Sequence, residues 1–420
     1  MRNLRLCTIS FAKIFIVPAE RVVDRRCAIQ ATIATVGAYD RFNYGDLLFP
    51  LVLNLVAGSM ELPELRHFSV RSADMRQFGG ALVSSSRTLF DRGDDDLTVG
   101  RLVASVVIGG GEVLGATWGQ AATSLAPYPF DRAMNALRKF GSPQIYDLLG
   151  RSVLRGEWAT PYVPSYKHAR RSILVTSAIG ASSLDSLRAS PKREVVRALS
   201  SASYVSVRDE MGRSALSRQG IESELVPDSV AILTELRSID LPPVDSELVF
   251  QVSQSWLKSR HGPTLDAIER LSKDFATIRL LPIGLAGGHG DQFALAGLHK
   301  DLKGRGIRNV VLCRTSTVWD VADAISTADV FVGTSLHGAV TAMAYGVPHV
   351  GLDSISKLDA YLTTWGGGLT PVGVDIASLD SAVAIARRVS RSQLESRSRY
   401  LGALAWKNSV RVLETAAGHS

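Results

Sequence analysis

The hydrophobic positions of this chain form short runs rich in β-branched residues, and segments of helical period separate these runs. From residue 28 onward, each run leads into a turn rich in glycine or polar residues. Strands that alternate with helices in this way predict parallel sheets covered on both faces. The runs that predict strands are Ala28–Val36, Arg66–Val70, Ser105–Ile108, Ser172–Ser177, Ser203–Val207, Glu224–Val226, Leu248–Val252, Thr277–Pro282, Asn309–Leu312, Val330–Val332 and Pro348–Leu352.

A break in this alternation divides the chain. Pro242 and Pro243 interrupt a polar stretch at Arg237–Ser246, which indicates a linker between two domains. The last helical segment, Arg391–Ala416, is expected to cross back onto the first domain, by analogy with transferases of two Rossmann-like domains. The predicted bounds are an N-terminal extension at 1–27, a first Rossmann-like domain at 28–240, a second at 241–390 and a C-terminal helix at 391–420.

The composition is that of an ordinary globular protein. Hydrophobic residues make up 46% and charged residues 21% of the 420 positions, and this length suits two domains of about 150–200 residues each. The net charge of +7 favours anionic ligands. Because Lys and Arg are not gathered into blocks interleaved with aromatic residues, nucleic acid is not an expected partner.

Cysteine usage and hydropathy predict a cytoplasmic protein. Cys7, Cys27 and Cys313 form no CxxC pair, as expected of reduced thiols. No apolar run reaches the roughly 18 residues that span a bilayer. The segment Leu6–Ala19 partly resembles a signal peptide, but Lys13 interrupts it and no small-residue cleavage site follows. An N-terminal extension is therefore the favoured interpretation.

The candidate chemistry lies in turns that follow strands, because open parallel sheets bind ligands beyond the carboxyl ends of their strands. The first such turn, Gly37–Asp46, includes Asn43 and Gly45. Gly45 suits a tight turn, and Asp46 suits the N-cap of a helix at Leu47–Val56. Capping explains Asp46 but does not require Asn43, so ligand binding stays open beside the structural interpretation.

The second turn contains three successive glycines, Gly109, Gly110 and Gly111. Without Cβ atoms, their backbone amides can approach a substrate closely, although a tightly packed turn would demand the same residues. The dinucleotide-binding fingerprint requires a glycine at the sixth place, where this chain has Leu114. The motif therefore does not support NAD binding.

The third turn, Val205–Asp209, leads into a predicted helix. Asp209 suits the N-cap of that helix. Arg208 stands at the mouth of the sheet, where a guanidinium can bind a carboxylate or a phosphate through two hydrogen bonds. A structural ion pair of Arg208 with Asp209 or Asp228 is equally compatible with the sequence.

The fourth turn leads into the predicted helix Leu336–Tyr345, with Thr334 and Ser335 just before it. The free amides at the start of a helix form an anion site. His337 lies in the first turn, where the helix dipole disfavours a protonated imidazole. An imidazole beside two hydroxyls at an anion site indicates a functional rather than a structural residue.

Other features give weaker signals. The run Asp94–Asp96 lies in a polar loop and is expected to be solvated. His289 lies in a glycine-rich stretch and can approach the cleft, while Asp291 can cap the helix that follows. The eight histidines show no paired ligand spacing, so no metal site is predicted.

Taken in order, these turns resemble the motifs of the polysaccharide pyruvyltransferase family. The resemblance spans roughly Thr35 to Leu362. The matching motifs are the N-x-GD turn at Asn43–Asp46, the GGG turn at Gly109–Gly111, the VSVRD stretch at Val205–Asp209, Pro227-Asp228, the LHG turn at Leu336–Gly338, the G-x-P exit at Gly346–Pro348 and a downstream Lys357.

The resemblance implies two Rossmann-like domains that face each other across a cleft, as in GT-B glycosyltransferases. It also implies phosphoenolpyruvate as the donor substrate, a sugar or lipid-linked glycan as the acceptor, and no cofactor. Peripheral association with a membrane is compatible with such an acceptor. Polysaccharide synthesis, including that of exopolysaccharides, is the process expected for such an enzyme.

The resemblance also assigns roles to residues of this chain. His337 would relay a proton, and Arg208 would act beside it as a catalytic and donor-binding cation. The remaining donor-binding residues would be Ser335, Leu336, Gly338 and Lys357. The acceptor-binding residues would be Asn43, Asp46, Gly109, Gly110, Gly111 and His289.

One position departs from the family pattern. Many members have an arginine just before the leucine–histidine pair, where this chain has Ser335. Two alternatives therefore stay open: a nucleotide-sugar glycosyltransferase of GT-B type, and a catalytically silent family member that binds glycans.

Overall fold

The computed structural model describes residues 32–90, 103–127, 130–238, 244, 246–287 and 290–418. The predicted extension at 1–27 lies outside the described residues, as do Asp94–Asp96, Pro242, Pro243 and His289. The domain bounds drawn from the sequence at residues 240 and 390 stay a prediction.

Strands and helices alternate along most of the described chain. The strands are β1 (Thr32–Val36), β2 (Arg66–Ser69), β3 (Ala73–Asp74), β4 (Leu82–Ser85), β5 (Val103–Gly109), β6 (Ile173–Ser177), β7 (Ser206–Val207), β8 (Glu224–Leu225), β9 (Glu247–Gln251), β10 (Thr277–Leu280), β11 (Val310–Leu312), β12 (Val330–Gly333) and β13 (His349–Gly351).

The α-helices are α1 (Tyr44–Ser59), α2 (Trp118–Leu125), α3 (Phe130–Phe140), α4 (Pro143–Val153), α5 (Tyr166–Ala169), α6 (Ala189–Leu199), α7 (Glu210–Ser217), α8 (Leu233–Leu236), α9 (Gln254–Lys258), α10 (His261–Leu271), α11 (Asp291–Gly304), α12 (Val318–Ser326), α13 (Leu336–Ala344), α14 (Ser356–Trp365), α15 (Leu379–Arg387) and α16 (Arg391–Ala417). Short 3₁₀ helices lie at Arg76–Phe78, Ser86–Thr88, Ser182–Ser186, Ser229–Ile232 and Ile376–Ser378.

Two large sheets organise the described residues, and β7 and β8 form a separate two-stranded sheet. The first has the strand order β3-β4-β2-β1-β5-β6, in which every neighbouring pair is parallel except β3 with β4. The second has the order β11-β10-β9-β12-β13 and is parallel throughout. All residues of β1 and of β9 are buried, as expected of central strands covered by helices on both faces. The predicted α/β class with parallel sheets is confirmed.

The strands that the sequence pattern does not predict lie at one edge of the first sheet. β3 has only two residues, Ala73 and Asp74, and β4 reads Leu-Val-Ser-Ser. β3 is the edge strand and β4 pairs with both β3 and β2, but neither carries a continuous apolar run from which a strand could be predicted. β7 is also shorter than predicted, since Ser206–Val207 forms its ladder with β8 while Tyr204 makes an isolated bridge to Val175.

The last helix, α16, packs against the first sheet although it follows the second along the chain. The Ser105 hydroxyl of β5 donates a hydrogen bond to the carbonyl of Ala416. The Tyr204 hydroxyl donates to Asn408 Oδ1 at 2.9 Å. Leu401 and Leu413 of this helix are buried in the same apolar core as α1. The helix therefore ties the end of the chain to the first half.

Helices α1 and α13 meet where the two halves join. The hydroxyls of Tyr44 and Thr341 lie 2.8 Å apart in this contact, and both residues are fully buried. Because α1 follows β1 and α13 follows β12, their contact brings the turns at the carboxyl ends of both sheets towards each other.

Candidate active site

A cavity of about 250 Å³ lies between the turns of the two halves. It is bounded by the segments that follow β1, β5 and β7 in the first half and β9, β10, β12 and β13 in the second. Most of the residues proposed from the sequence line it. They are Asn43, Asp46, Gly111, Arg208, Ser335, Leu336, His337 and Lys357.

The triple glycine reaches the cavity only through Gly111. Gly109 ends β5, and a Cβ there would lie 2.8 Å from the Tyr39 hydroxyl. Gly110 has a φ of 102°, which favours glycine. A Cβ on Gly111 would lie 3.0 Å from Asp46 Oδ1. The predicted acceptor loop is therefore largely a packed turn, and Gly109 and Gly110 do not line the cavity.

The helix after the first turn begins earlier than the sequence predicts. Asn43 has the extended backbone of an N-cap residue, and α1 starts at Tyr44. Asp46 therefore lies in the first turn of the helix rather than at its cap, which corrects the prediction. Asn43 Nδ2 donates a hydrogen bond to Asp46 Oδ2 at 2.7 Å. The amide thus holds the Asp46 carboxylate at the cavity wall.

His337 lies at the start of α13, where the sequence places it. Ser335 caps this helix through a hydrogen bond from the Gly338 amide to the Ser335 hydroxyl at 3.1 Å. Gly338 does not line the cavity, contrary to its predicted donor-binding role. The amides of Leu336 and His337, which precede it in the helix, have no intrahelical hydrogen-bond partners. The imidazole packs edge-on against Phe49, with 5.6 Å between ring centroids. Gly45 of α1 allows this approach, since a Cβ there would lie 1.9 Å from His337 Nδ1.

Asp228 links His337 to Arg208. Asp228 Oδ2 lies 3.2 Å from Arg208 Nη1 and 3.5 Å from His337 Nε2. Burial acts to raise the pKa of Asp228, but His337 and Arg208 outweigh it and lower that pKa below its ordinary value. The imidazole Nε2 has no hydrogen-bond partner among the described residues.

The surroundings of Arg208 differ from those of an open donor-binding cation. Its side chain is 1% exposed, and it also lies 3.6 Å from Glu112 and 3.8 Å from Asp209. Asp209 meanwhile caps α7 by accepting a hydrogen bond from the Gly212 amide at 2.7 Å. Arg208 therefore balances three carboxylates and lies at the base of the cavity, so the structural ion pair considered from the sequence is present.

Lys357 is the cation that extends into the cavity from α14. Its side chain keeps contact with solvent, and none of the described ion pairs includes it. The surrounding protein, and after it the charge of Arg208, lowers the pKa of the Lys357 ammonium. As a cation without an ion-pair partner among the described residues, Lys357 is suited to bind a carboxylate or a phosphate.

Asp291 is a cavity residue that the sequence indicates only as a helix cap. Its Oδ2 accepts hydrogen bonds from Gln251 Nε2 at 3.1 Å and from the Gly284 amide at 3.0 Å. Its Oδ1 is buried without a partner in the described part of the chain. Burial raises the pKa of this carboxyl to about 6. Gln251 is a polar residue at the end of the buried strand β9. This polar position is the sequence signal that could have revealed the hydrogen bond between Gln251 and Asp291.

Arg41 and Glu112 also line the cavity, and both lie in the turns proposed from the sequence. Arg41 Nη1 pairs with Asp40 at 3.1 Å, and its guanidinium lies 5.8 Å from the centre of the Tyr162 ring. Glu112 Oε1 accepts a hydrogen bond from the Ser183 amide at 2.7 Å. Because Arg41 and Glu112 lie in turns that follow strands, the sequence could have indicated them as cavity residues. It could not have indicated their partners Tyr162 and Ser183, which lie far away along the chain.

Comparison with known proteins identifies the family. A family model described as polysaccharide pyruvyl transferase matches residues 43–356, which is most of the chain and includes most of the residues that line the cavity. The chain belongs to this family. It is thereby a transferase that acts on polysaccharides or glycans, and a sugar or glycan is its acceptor. No curated protein matches the sequence.

Solved structures share the fold of this family member. The Staphylococcus aureus MnaA–UDP complex has a TM-score of 0.55 at 11% identity, covering 93% of this chain and 98% of its own. UDP-GlcNAc 2-epimerase from Methanocaldococcus jannaschii has a TM-score of 0.52 at 12% identity, covering 86% and 93%. UDP-N-acetylglucosamine 2-epimerase from Rickettsia bellii has a TM-score of 0.52 at 11% identity, covering 93% and 98%. These likenesses confirm the GT-B-like fold of two Rossmann-like domains.

The described residues contain no cluster of three His, Cys, Asp or Glu side chains arranged to hold a metal ion. Across the same part of the chain, no helix is both long enough and apolar enough to cross a bilayer.

The approach of His337 to Gly45 predicts opposite effects for two alanine substitutions in one helix. Gly45→Ala should lower the free energy of unfolding by about 1–3 kcal/mol, because its Cβ overlaps the imidazole. Gly58→Ala in the same helix is the control, since a Cβ there meets no atom within 4 Å. It should raise stability by up to about 1 kcal/mol. Urea unfolding measures both, and equal effects would contradict the packing of His337 on Gly45.

The raised pKa of Asp291 predicts that the free energy of unfolding depends on pH. Between the unfolded value of 3.8 and the folded value of about 6, the folded protein binds more protons at this carboxyl than the unfolded chain does. Its contribution to stability therefore falls as pH rises, by about 3 kcal/mol across that window. The free energies of unfolding of the wild type and of Asp291→Asn, measured in urea at a series of pH values, should differ by an amount that falls as pH rises. A difference that is constant with pH would contradict the raised pKa.

Proposed function

We propose that this protein transfers a pyruvyl group from phosphoenolpyruvate to two hydroxyls of a sugar, forming a pyruvate ketal. The observation that carries the proposal is the meeting of His337, Lys357 and the first amides of α13 in one small cavity. A proton donor, a cation and an anion-binding helix start are the groups that an enol phosphate requires.

The donor side of the proposal rests on Lys357 and α13. The amides of Leu336 and His337 lie at the positive end of the helix, where a phosphate is stabilised. Lys357 supplies the opposite charge for the carboxylate or the phosphate. Ser335 stands where many family members have arginine, and its hydroxyl caps the helix instead. Lys357 is therefore the principal donor-binding cation in this scheme, with Arg208 positioning Asp228.

Proton transfer by His337 begins the reaction. The protonated imidazole of His337, held beside Asp228, gives a proton to the methylene carbon of the enol phosphate, and C2 becomes electrophilic. The first sugar hydroxyl then forms a bond to C2. The C2–O bond to phosphate breaks, and the second hydroxyl closes the ketal. One hydroxyl proton restores the imidazolium and the other leaves with the phosphate, so atoms and charges balance.

The acceptor side of the proposal uses the first half of the chain. Asn43 and Asp46 present an amide and a carboxylate held 2.7 Å apart, which can bind neighbouring sugar hydroxyls. Gly111 leaves room beside Asp46. A contribution of His289 to this side stays a prediction. An acceptor carried on a lipid would bring the protein to the cytoplasmic face of a membrane.

Two other functions compete with this proposal. MnaA, which shares the fold, was solved together with UDP, and a nucleotide sugar is the donor expected of a GT-B glycosyltransferase. The cavity volume of about 250 Å³ favours a smaller donor, because pockets for drug-sized ligands measure about 300–1,000 Å³. A catalytically silent glycan-binding protein is the second competitor, since Ser335 replaces the common arginine.

Phosphate release from phosphoenolpyruvate, measured across a panel of soluble glycosides, separates these functions. The proposal requires release that depends on a glycoside with two suitably placed hydroxyls, and a product that is heavier by one pyruvyl ketal. Glycosyl transfer from a nucleotide sugar without phosphate release would establish the glycosyltransferase. Glycoside binding without turnover of any donor would establish the silent protein.

The proton-relay role predicts a large kinetic effect at His337. His337→Ala should lower turnover by about 10²–10⁴-fold, the usual contribution of a positioned acid or base. His337→Gln keeps a hydrogen-bond donor, so it should restore donor binding but not turnover. His261→Ala is the control, because His261 lies 2.8 Å from Asp301 at an exposed site. Full activity of either His337 variant would end the catalytic assignment.

Donor binding by Lys357 predicts a change in affinity. Lys357→Ala should weaken phosphoenolpyruvate binding by about 1.5–3 kcal/mol, the scale of a hydrogen bond to a charged group. Affinity for the glycoside should not change. Lys407→Ala removes an exposed lysine of α16 and serves as the control. Calorimetry of each ligand separates the two affinities, and a loss confined to glycoside binding would assign Lys357 to the acceptor.

A further inference from the structure

Helices α3 and α4 form a hairpin that is only partly covered by the rest of the described chain. None of the residues of α3 is buried. In α4 only Tyr146 and Gly150 are buried, and they face α2. The Tyr146 hydroxyl lies 2.8 Å from Thr123 Oγ1 of α2, and Gly150 packs against the Trp118 carbonyl. The hairpin is thus anchored along one side of α4 and exposed along the rest.

The exposed side of α4 is apolar. Ile145, Leu148, Leu149 and Val153 are 53%, 67%, 44% and 72% exposed. Their spacing places them within an arc of about 140° of the helix, next to the face of Tyr146 and Gly150 that contacts α2. An amphipathic helix normally buries its apolar face against the protein, but these four large apolar residues are exposed to solvent.

The two ends of α3 also carry exposed aromatic side chains. Phe130 is 66% exposed and Phe140 is 80% exposed. With the four residues of α4, they form the hairpin patch, which holds six of the thirteen large hydrophobic side chains that are exposed in the described residues. Apolar side chains gathered in this way mark an interaction site, whereas scattered ones do not.

The hairpin carries more basic than acidic residues. Residues 130–155 include five Lys or Arg and two Asp. Arg138, Lys139, Arg151 and Arg155 are exposed, and Lys139 Nζ lies 5.0 Å from the centre of the Phe140 ring. Asp147, one of the two acids, pairs with Arg188 at 3.5 Å. Apolar and aromatic groups bordered by basic side chains are the pattern that binds anionic lipid surfaces.

This charge argues against a second copy of the chain as the partner. A two-fold dimer through the hairpin patch would bring the same basic residues of both copies together. Like charges across an interface oppose association. A bilayer that contains anionic lipid instead offers an apolar interior for the side chains and negative headgroups for their basic neighbours.

The hairpin also lies next to the candidate active site. A cavity of about 430 Å³ separates the start of α3 from the loop that precedes α11, and Gly284 of that loop lines the candidate active site as well. The Gly287 amide of the same loop donates a hydrogen bond to the Ser124 carbonyl of α2 at 3.2 Å. A surface bound by the hairpin would therefore lie near the entrance of the cleft.

We propose that the hairpin patch of α3 and α4 docks the protein onto an anionic membrane surface, with its apolar side chains inserted among the lipids. Docking does not depend on the proposed chemistry. If the acceptor is carried on a lipid, the docking would present it at the entrance of the cleft.

Flotation of the full chain with vesicles tests the proposal. Binding is expected to vesicles of phosphatidylglycerol and phosphatidylcholine, and weaker binding to vesicles of phosphatidylcholine alone. Leu148→Ser should lower the partition constant by about tenfold or more, because it removes an inserted side chain. Ile385→Ser, at a site 54% exposed in α15, is the matched control and should leave binding unchanged.

A charge variant separates electrostatic attraction from insertion. Arg138→Gln with Lys139→Gln should lower binding to the anionic vesicles by about 25-fold, since each basic residue near such a surface contributes about a factor of five. It should have little effect on the neutral vesicles. Thermal unfolding and turnover with a soluble glycoside should match the wild type in all these variants, so a failure of docking is distinguishable from a failure of the proposed function.

Three results would overturn the proposal. The first is an absence of binding to anionic vesicles. The second is an equal loss of binding in Leu148→Ser and Ile385→Ser. The third is self-association of the wild type in sedimentation velocity that Leu148→Ser abolishes, which would make the hairpin patch an interface between copies of the chain.

Discussion

The candidate active site depends on the contacts that the buried carboxylate of Asp228 makes with Arg208 and His337. Arg208 approaches it from the turn after β7, and His337 approaches it from the start of α13. The Tyr361 hydroxyl of α14 accepts a hydrogen bond from the Asp228 amide at 3.2 Å. A buried charge is costly unless it is paired. The two halves must therefore meet in a way that brings these groups together, and this requirement positions His337.

This network also divides the cations of the cavity into two kinds. Arg208 is surrounded by Asp228, Glu112 and Asp209, so its charge stabilises the protein around it. Lys357 lines the same cavity and has no ion-pair partner among the described residues. Its ammonium is therefore open to an anionic group of a ligand.

The two sides of the cleft have different chemical character. The second half presents a helix start, hydroxyls and Lys357, which suit phosphate and carboxylate groups. The first half presents Asn43 and Asp46, which suit hydroxyl groups. The exposed hairpin patch belongs to the first half, next to the same cleft. A donor from solution and an acceptor at a surface could thus reach the cavity from different directions.

The sequence by itself determined the alternation of strands and helices, the turns that carry polar residues and the place of His337 in a helix start, because these depend on local periodicity and capping. It could not reveal edge strands such as β3, whose two residues carry no pattern. Nor could it tell that Arg208 is paired, that Gly109 packs on Tyr39, or that Asp291 has a raised pKa. Those properties depend on which distant groups share a buried space, and only the tertiary structure decides that.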